Sequence, residues 1–262
     1  MFPSARFTYK FGNNRVSAFY NRRVDRPEEF DLRPFPKYDD PEILKTGNPN
    51  LRPQFTQTYE LAYKTNFNAT TFYIAGFYRD IENIFSRVFT ADAQSATPVI
   101  NSVTQNLNGG HNLGAEINVD QSFTKSWNLN LGVTVYNNLI DAFTGTVLYP
   151  YPQAYSFDKT QNTTWNAKLN STVKLPGNST LMGTFVYYAP DVIPQGTVKS
   201  RYSLDIGAKK ILFKNKAEFT LSATDLLNTF AIRRSFDSPE FSLVTENYYE
   251  TQVITAGLKY KF

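Results

Sequence analysis

The residues able to carry catalysis are few and scattered. His111 is the single histidine in 262 residues, and it follows Gly109 and Gly110 at the entrance to a strand-like stretch. No second His and no Cys exists to complete a metal site or a nucleophile–base pair around it. Asp39 and Asp40 are adjacent carboxylates inside a proline-rich segment, which suits a solvated or cation-binding loop better than a catalytic pair. No GxSxG elbow, phosphate loop or dinucleotide fingerprint occurs. These residues point away from an enzyme, and no cofactor is expected.

Recognition chemistry is better represented. Tyr149, Tyr151 and Tyr155, interleaved with Pro150 and Pro152, give an aromatic segment that can stack on a sugar, a peptide or a siderophore. The same rings serve equally well as loop packing or as an interfacial girdle. Arg233 and Arg234 follow a strand-like run and suit an anionic ligand, and equally the phosphates of lipopolysaccharide or plain solvation.

Composition sets the frame that must position them. Phe (22) and Tyr (17) carry the aromatic content of 16%, Asn and Thr are abundant, and charged residues make up only 19%. That mixture favours strands and turns over helices. The net charge of +4 arises from 27 basic and 23 acidic residues spread without a basic run, so no nucleic-acid partner is expected. No stretch approaches the 18 apolar residues or so of a membrane-crossing helix. The segment MFPSARFTYKF has no secretory-leader pattern and runs directly into strand-like sequence.

Period-two alternation recurs along the whole chain. In WNAKLNSTVKL (165–175), Trp165, Ala167, Leu169, Val173 and Leu175 share one face, against Asn166, Lys168, Asn170, Thr172 and Lys174. NLGAEINVD (112–120), WNLNLGVTVYN (127–137) and ITAGLKYKF (254–262) follow the same scheme. The pattern predicts about eleven strands, near 4–11, 15–24, 54–65, 69–80, 99–121, 127–141, 159–175, 179–190, 197–212, 216–231 and 243–262, with 80–98 extending its neighbours. Short turns fall at 12–14, 66–68, 122–126, 176–178 and 213–215, and they alternate with long connections at 25–53, 81–98, 142–158, 191–196 and 232–242. Long strands in simple hairpins, with tight turns at one end and large loops at the other, predict an all-β, antiparallel up-and-down transmembrane barrel. A soluble β-sandwich remains the competing arrangement of the same alternation.

Two segments carry a family resemblance. GNPNLRPQFTQTYELAYK (47–64) resembles the strand entry of TonB-dependent outer-membrane receptors, and SRYSLDIGAKKILFKNKAEFTLSATDLLNTF (200–230) resembles a hairpin of the same proteins, nearest to the outer membrane protein β-barrel family. Gln54 departs from the acidic residue usual there. The proline and Asx positions of both segments suit strand-end geometry: Pro49 and Pro53 hold the chain extended, and Asp225 and Asn228 can bond local backbone.

The terminal LKYKF resembles the signal read by the barrel assembly machinery, through Leu258, Tyr260 and Phe262. The resemblance implies a barrel of about 22 strands, a plug domain and a TonB box. With an even strand count expected and about eleven strands here, residues 1–262 are expected to be the C-terminal half of such a barrel. Implied partners are outer-membrane lipid and lipopolysaccharide, the remaining half with its plug, TonB through that missing part, and the assembly machinery. The implied function is uptake of a nutrient ligand across the outer membrane. A barrel serving adhesion, anchoring or secretion is the alternative. Deleting Phe262 from the full-length protein is expected to lower its amount in outer-membrane fractions; an unchanged amount would remove the assembly-signal reading.

Overall fold

The structure is a computed structural model that describes residues 1–37, 40–92, 94–96, 99–148 and 151–262. One antiparallel sheet of 11 strands dominates it, and every strand pairs with the next sheet strand along the chain. Its strands are Ser4–Phe11, Asn14–Asp25, Gln54–Phe67, Thr70–Glu82, Gly109–Ser122 and Trp127–Ile140. They continue with Thr160–Leu175, Ser179–Tyr188, Arg201–Leu212, Ala217–Thr224 and Val253–Tyr260.

The registers keep the two faces chemically separate. Trp165 lies opposite Val135, Leu169 opposite Leu131, and Val173 opposite Trp127 on one face. On the other, Asn166 meets Thr134 and Thr172 meets Asn128. A one-residue slip would exchange the faces, so this alternation fixes the register. The polar face carries cross-strand side-chain chains: Thr184 Oγ1 donates to Asn170 Oδ1 (3.0 Å), Asn170 Nδ2 to Asn130 Oδ1 (3.0 Å), and Asn130 Nδ2 to Asp120 Oδ1 (2.5 Å). The opposite face is apolar and uncovered, with Leu61, Leu113, Ile254 and Leu258 all exposed. No second sheet packs on it among the described residues, unlike the sandwich arrangement. Apolar surface of this extent calls for a lipid phase.

Turn chemistry explains one end of the sheet. Gly12, Asn68, Gly177 and Asn178 all have φ between +49° and +71°, the region that Gly and Asn enter at least cost. Phe213, Lys214 and Asn215 are also left-handed, closed by Lys216 N donating to Phe213 O at 3.1 Å.

The other end differs from the expected plain loops. The 99–121 stretch breaks into Ile100–Asn106 and Gly109–Ser122. A side chain at Gly110 would collide with the Leu139 carbonyl, so the main sheet is entered through Gly109–Gly110. Ile100–Asn106 instead leaves the sheet to pair with Phe85–Ala91 and, in parallel, with Ile43–Thr46. Residues within the expected 142–158 connection form a hairpin of Phe143–Val147 and Gln153–Phe157. Asp191–Ile193, Gly196–Val198, Ile232–Asp237 and Ser242–Asn247 form a four-stranded sheet. The expected 216–231 and 243–262 strands are interrupted accordingly, the first ending at Thr224 and the second resuming at Val253.

This crown of connections holds the buried apolar core: Val88, Val103, Leu107, Ile140, Phe143 and Val147, with Ile84, Tyr155 and Phe157 packed against it. The core thus lies beyond the end of the sheet that carries the long connections. Leu107 is 1% exposed there. Leu107→Ala is expected to destabilise the crown by about 2–5 kcal/mol. Limited proteolysis of the membrane-inserted protein should show faster cleavage of the 83–108 and 141–159 connections, with the sheet left intact. A second expectation tests the faces. Val133→Arg on the apolar face should cost about 2–4 kcal/mol in bilayer unfolding measurements, whereas Thr134→Arg on the polar face should cost far less.

Candidate functional site

The site is built from the crown. The segment 47–53 reaches it through backbone contacts: Gly47 N donates to Arg33 O (2.8 Å) and Asn48 N to Asp31 O (2.6 Å). Asn48 Oδ1 then accepts from Asn50 N (2.9 Å), turning the chain, while Asn48 Nδ2 donates to Gln105 Oε1 (3.1 Å). Asn106 works as a surrogate strand residue, accepting from Arg52 N (2.7 Å) and donating to Arg52 O (2.9 Å). The NPNLRP segment is therefore seated on the crown by its backbone.

Two glutamines clamp the Phe85–Ala91 strand. Gln195 accepts from Phe89 N and donates to Phe89 O, both at 2.8 Å. Gln153 donates to Ala91 O (2.7 Å) and accepts from Thr90 Oγ1 (2.9 Å). Each amide thus completes part of a ladder that the strand edge would otherwise leave open. The 189–200 connection is also tied to the sheet's polar face, since Asp191 accepts from Tyr136 Oη and Asn138 Nδ2, each at 2.9 Å.

These ties enclose a cavity of about 890 Å³ between the three-stranded and four-stranded crown sheets. Its walls include Lys45, Arg87, Ser102, Gln195, Arg234 and residues 243–247. The Phe89 and Phe236 rings, 4.4 Å apart between centroids, give it an apolar wall. Asp40, Glu42 and Glu246 also border it, the last with its carboxylate paired to Arg233. A second cavity, of about 600 Å³, borders the Asn48–Asn50 turn and Asn106. Both fall in the size range of ligand pockets, about 300–1,000 Å³.

The structure distributes the candidate ligand residues unevenly. Tyr149 and Pro150 lie outside the described residues, as does Asp39. Tyr151 donates to Asp92 Oδ1 at 3.1 Å. Tyr155 packs by its ring against Phe143 and Phe157 and covers Gly145, where any side chain would collide with it. Burial pushes the Tyr155 hydroxyl above the ordinary tyrosine value. Arg233 makes a bidentate pair with Glu246, Nε–Oε2 2.9 Å and Nη2–Oε1 3.1 Å. That hydrogen-bonded pairing raises Arg233 and lowers Glu246 from their usual values. Arg234, on the opposite face of the strand, lines the larger cavity and has no ion pair among the described residues.

Other singled-out groups take structural roles. Asp225 is 1% exposed, has φ +42°, and accepts from Thr229 N (3.1 Å), Phe230 N (3.3 Å) and Thr251 Oγ1 (2.6 Å). This is the strand-end geometry expected of the TDLLNT segment. Asp40 Oδ1 likewise accepts from Glu42 N and Ile43 N. His111 lies with its ring 5.8 Å from Tyr78, in a row that continues through Tyr59 to Tyr20. No cluster of three or more His, Cys, Asp or Glu with metal-binding geometry occurs among the described residues. Leu258 and Tyr260 stand on the apolar face, and the Tyr260 and Phe262 rings meet edge-on at 5.3 Å. Sequence reading missed Gln153, Gln195, Asn106 and Asp191, because their partners lie 50 to 106 residues away or in another connection and no local spacing marks them.

Comparison with known proteins agrees with this architecture. The outer membrane protein beta-barrel family matches residues 1–260. In fold the chain is similar to the siderophore receptor PirA from Pseudomonas aeruginosa, at 12% identity and a TM-score of 0.60, covering 87% of this chain and 39% of that one. It is similar to the copper transporter OprC, at 10% identity and a TM-score of 0.61, covering 99% of this chain and 39% of that one. A mutant ferric enterobactin receptor PfeA from Pseudomonas aeruginosa, in complex with enterobactin, matches at 12% identity and a TM-score of 0.53, covering 87% and 35%. The chain therefore spans well under half the length of these proteins, and at such identities the likeness is one of fold. No curated protein matches it. The meander, its uncovered apolar face and the match across nearly the whole sequence converge: the chain belongs to the outer membrane protein beta-barrel family and resides in the outer membrane.

Proposed function

We propose that residues 1–262 form the C-terminal part of a TonB-dependent outer-membrane receptor that takes up a nutrient ligand. The observation that carries this reading is the crown: long connections fold around a core of their own and enclose a cavity of about 890 Å³. A barrel that served only as an anchor would have no need of such a chamber. In the proposed cycle the crown captures ligand, TonB pulls the plug held by the N-terminal part of the protein, and ligand passes along the polar face. The described chain contributes wall, surface chamber and polar lining. No bond in the cargo is made or broken by it.

Within this reading Arg234 is the ligand contact of the cavity wall, and Arg233 holds the Ile232–Asp237 and Ser242–Asn247 hairpin through Glu246. Tyr151, through Asp92, and Tyr155, through Phe143 and Phe157, shape the neighbouring hairpin. Leu258, Tyr260 and Phe262 address the protein to the barrel assembly machinery, and the apolar face meets lipid and lipopolysaccharide.

Accumulation of labelled ferric siderophore, copper and oligopeptide probes, compared between deletion and complemented cells with and without TonB, tests the reading. Loss of accumulation of one probe on deletion, and equally on removing TonB, is expected. Unchanged accumulation of every probe would favour the adhesion or anchoring alternative.

A further inference from the structure

The Ser242–Asn247 strand is an edge. It pairs with Ile232–Asp237 on one side, and no strand lies on the other among the described residues. Which backbone groups are left open follows from the hydrogen-bond alternation of an antiparallel ladder. Asp237 N donates to Gln195 O and Arg233 O accepts from Lys199 N, so odd-numbered residues of 233–237 face the Gly196–Val198 strand. Arg234 and Phe236 then bond their opposite residues, Thr245 and Leu243. Val244 and Glu246 consequently turn their N–H and C=O groups to the open edge.

That edge runs along the cavity. Leu243, Val244, Thr245, Glu246 and Asn247 all line it, although consecutive side chains of a strand point to opposite faces. Five consecutive lining residues place the strand's edge along the space, beside the face that carries Arg234 and Phe236. Among the described residues no strand blocks the edge: residues 242–247 include no proline, the register is continuous, and Val244 presents a β-branched side chain at 61% exposure. Arg234 stands in the wall beside it. Ser102, 3% exposed, lines the same cavity with an Oγ that has no hydrogen-bond partner among the described residues.

We propose that this cavity binds an extended oligopeptide, added as a further strand along Ser242–Asn247, with a peptide carboxylate at Arg234. Backbone hydrogen bonds to Val244 and Glu246 supply affinity that tolerates varied side chains, and the pockets beside Phe89 and Phe236 read alternate residues. Six paired residues span about 20 Å, so the fitting ligand is a peptide of about that length rather than a free amino acid. The proposal rests on the uptake reading for its biological role, but the binding it describes stands apart from transport.

The test uses full-length protein in detergent micelles and fluorescein-labelled hexapeptide pools read by fluorescence anisotropy. One pool contains aspartate at fixed positions, a second has the same side chains with alternate backbone nitrogens methylated, and a third is uncharged with an amidated C-terminus. The first pool is expected to bind, and methylation is expected to weaken it about tenfold or more, the equivalent of one or two lost hydrogen bonds. Val244→Pro removes an outward N–H without breaking the ladder to Ile232–Asp237, so it should weaken binding similarly while outer-membrane levels and heat-modifiable mobility stay normal. Arg234→Gln should weaken the aspartate pool and leave the uncharged pool unchanged. Equal binding of methylated and unmethylated pools, or no binding of any pool, would overturn the proposal. If hexapeptides fail to bind while TonB-dependent uptake of another probe persists, only the peptide assignment falls. Binding without TonB-dependent uptake would instead remove the uptake reading.

Discussion

Inside a bilayer no water is available to satisfy a free backbone N–H or C=O, and the architecture follows from that constraint. Each inner strand of the 11-stranded sheet must find its partners in its two neighbours, and the simplest chain path that achieves this is the observed meander. The same constraint lets the usual logic of burial invert. Leu61, Leu113, Ile254 and Leu258 are exposed because lipid is their proper surrounding, and the Asn, Thr and Asp side chains of the opposite face bond one another across strands.

Beyond the end of the sheet the constraint changes, and so does the chemistry. Connections that meet water need a hydrophobic core to stay ordered, and here Val88, Val103, Leu107, Ile140, Phe143 and Val147 provide it. Polar clamps then fix what the core does not reach. Gln195 and Gln153 grip the same strand from two different connections, and Asn106 grips the backbone at Arg52. Gln195 ties the three-stranded sheet to the four-stranded one, and the Phe89–Phe236 contact forms one wall of the cavity between them. The cavity is thus a product of loop folding, positioned by a sheet that contributes little of the lining.

Charge is handled in a way that separates the two adjacent arginines. Arg233 and Glu246 lie directly opposite on one face of a hairpin, and their bidentate pair occupies both. Arg234, one residue on, is turned to the other face and into the cavity. The sequence places two cations side by side, and the strand's period of two gives them different surroundings.

The face of each residue and the number of long strands were legible in the alternation, because a period of two needs only local information. Trp165 against Val135 and Ile254 against Ala223 follow once neighbouring strands are antiparallel hairpins. The left-handed turns at Gly12, Asn68 and Asn178, and the capping role of Asp225, were legible for the same reason. The crown was not. The parallel pairing of Ile43–Thr46 with Ile100–Asn106 joins segments more than 50 residues apart, and Gln195 reaches across 106 residues to Phe89. Nothing in a local pattern distinguishes these glutamines from other polar loop residues. Their role arises only when the sheet brings the ends of distant hairpins together, so the sequence alone determined a lipid-facing barrel wall, and tertiary packing decided where the wall's loops make a chamber.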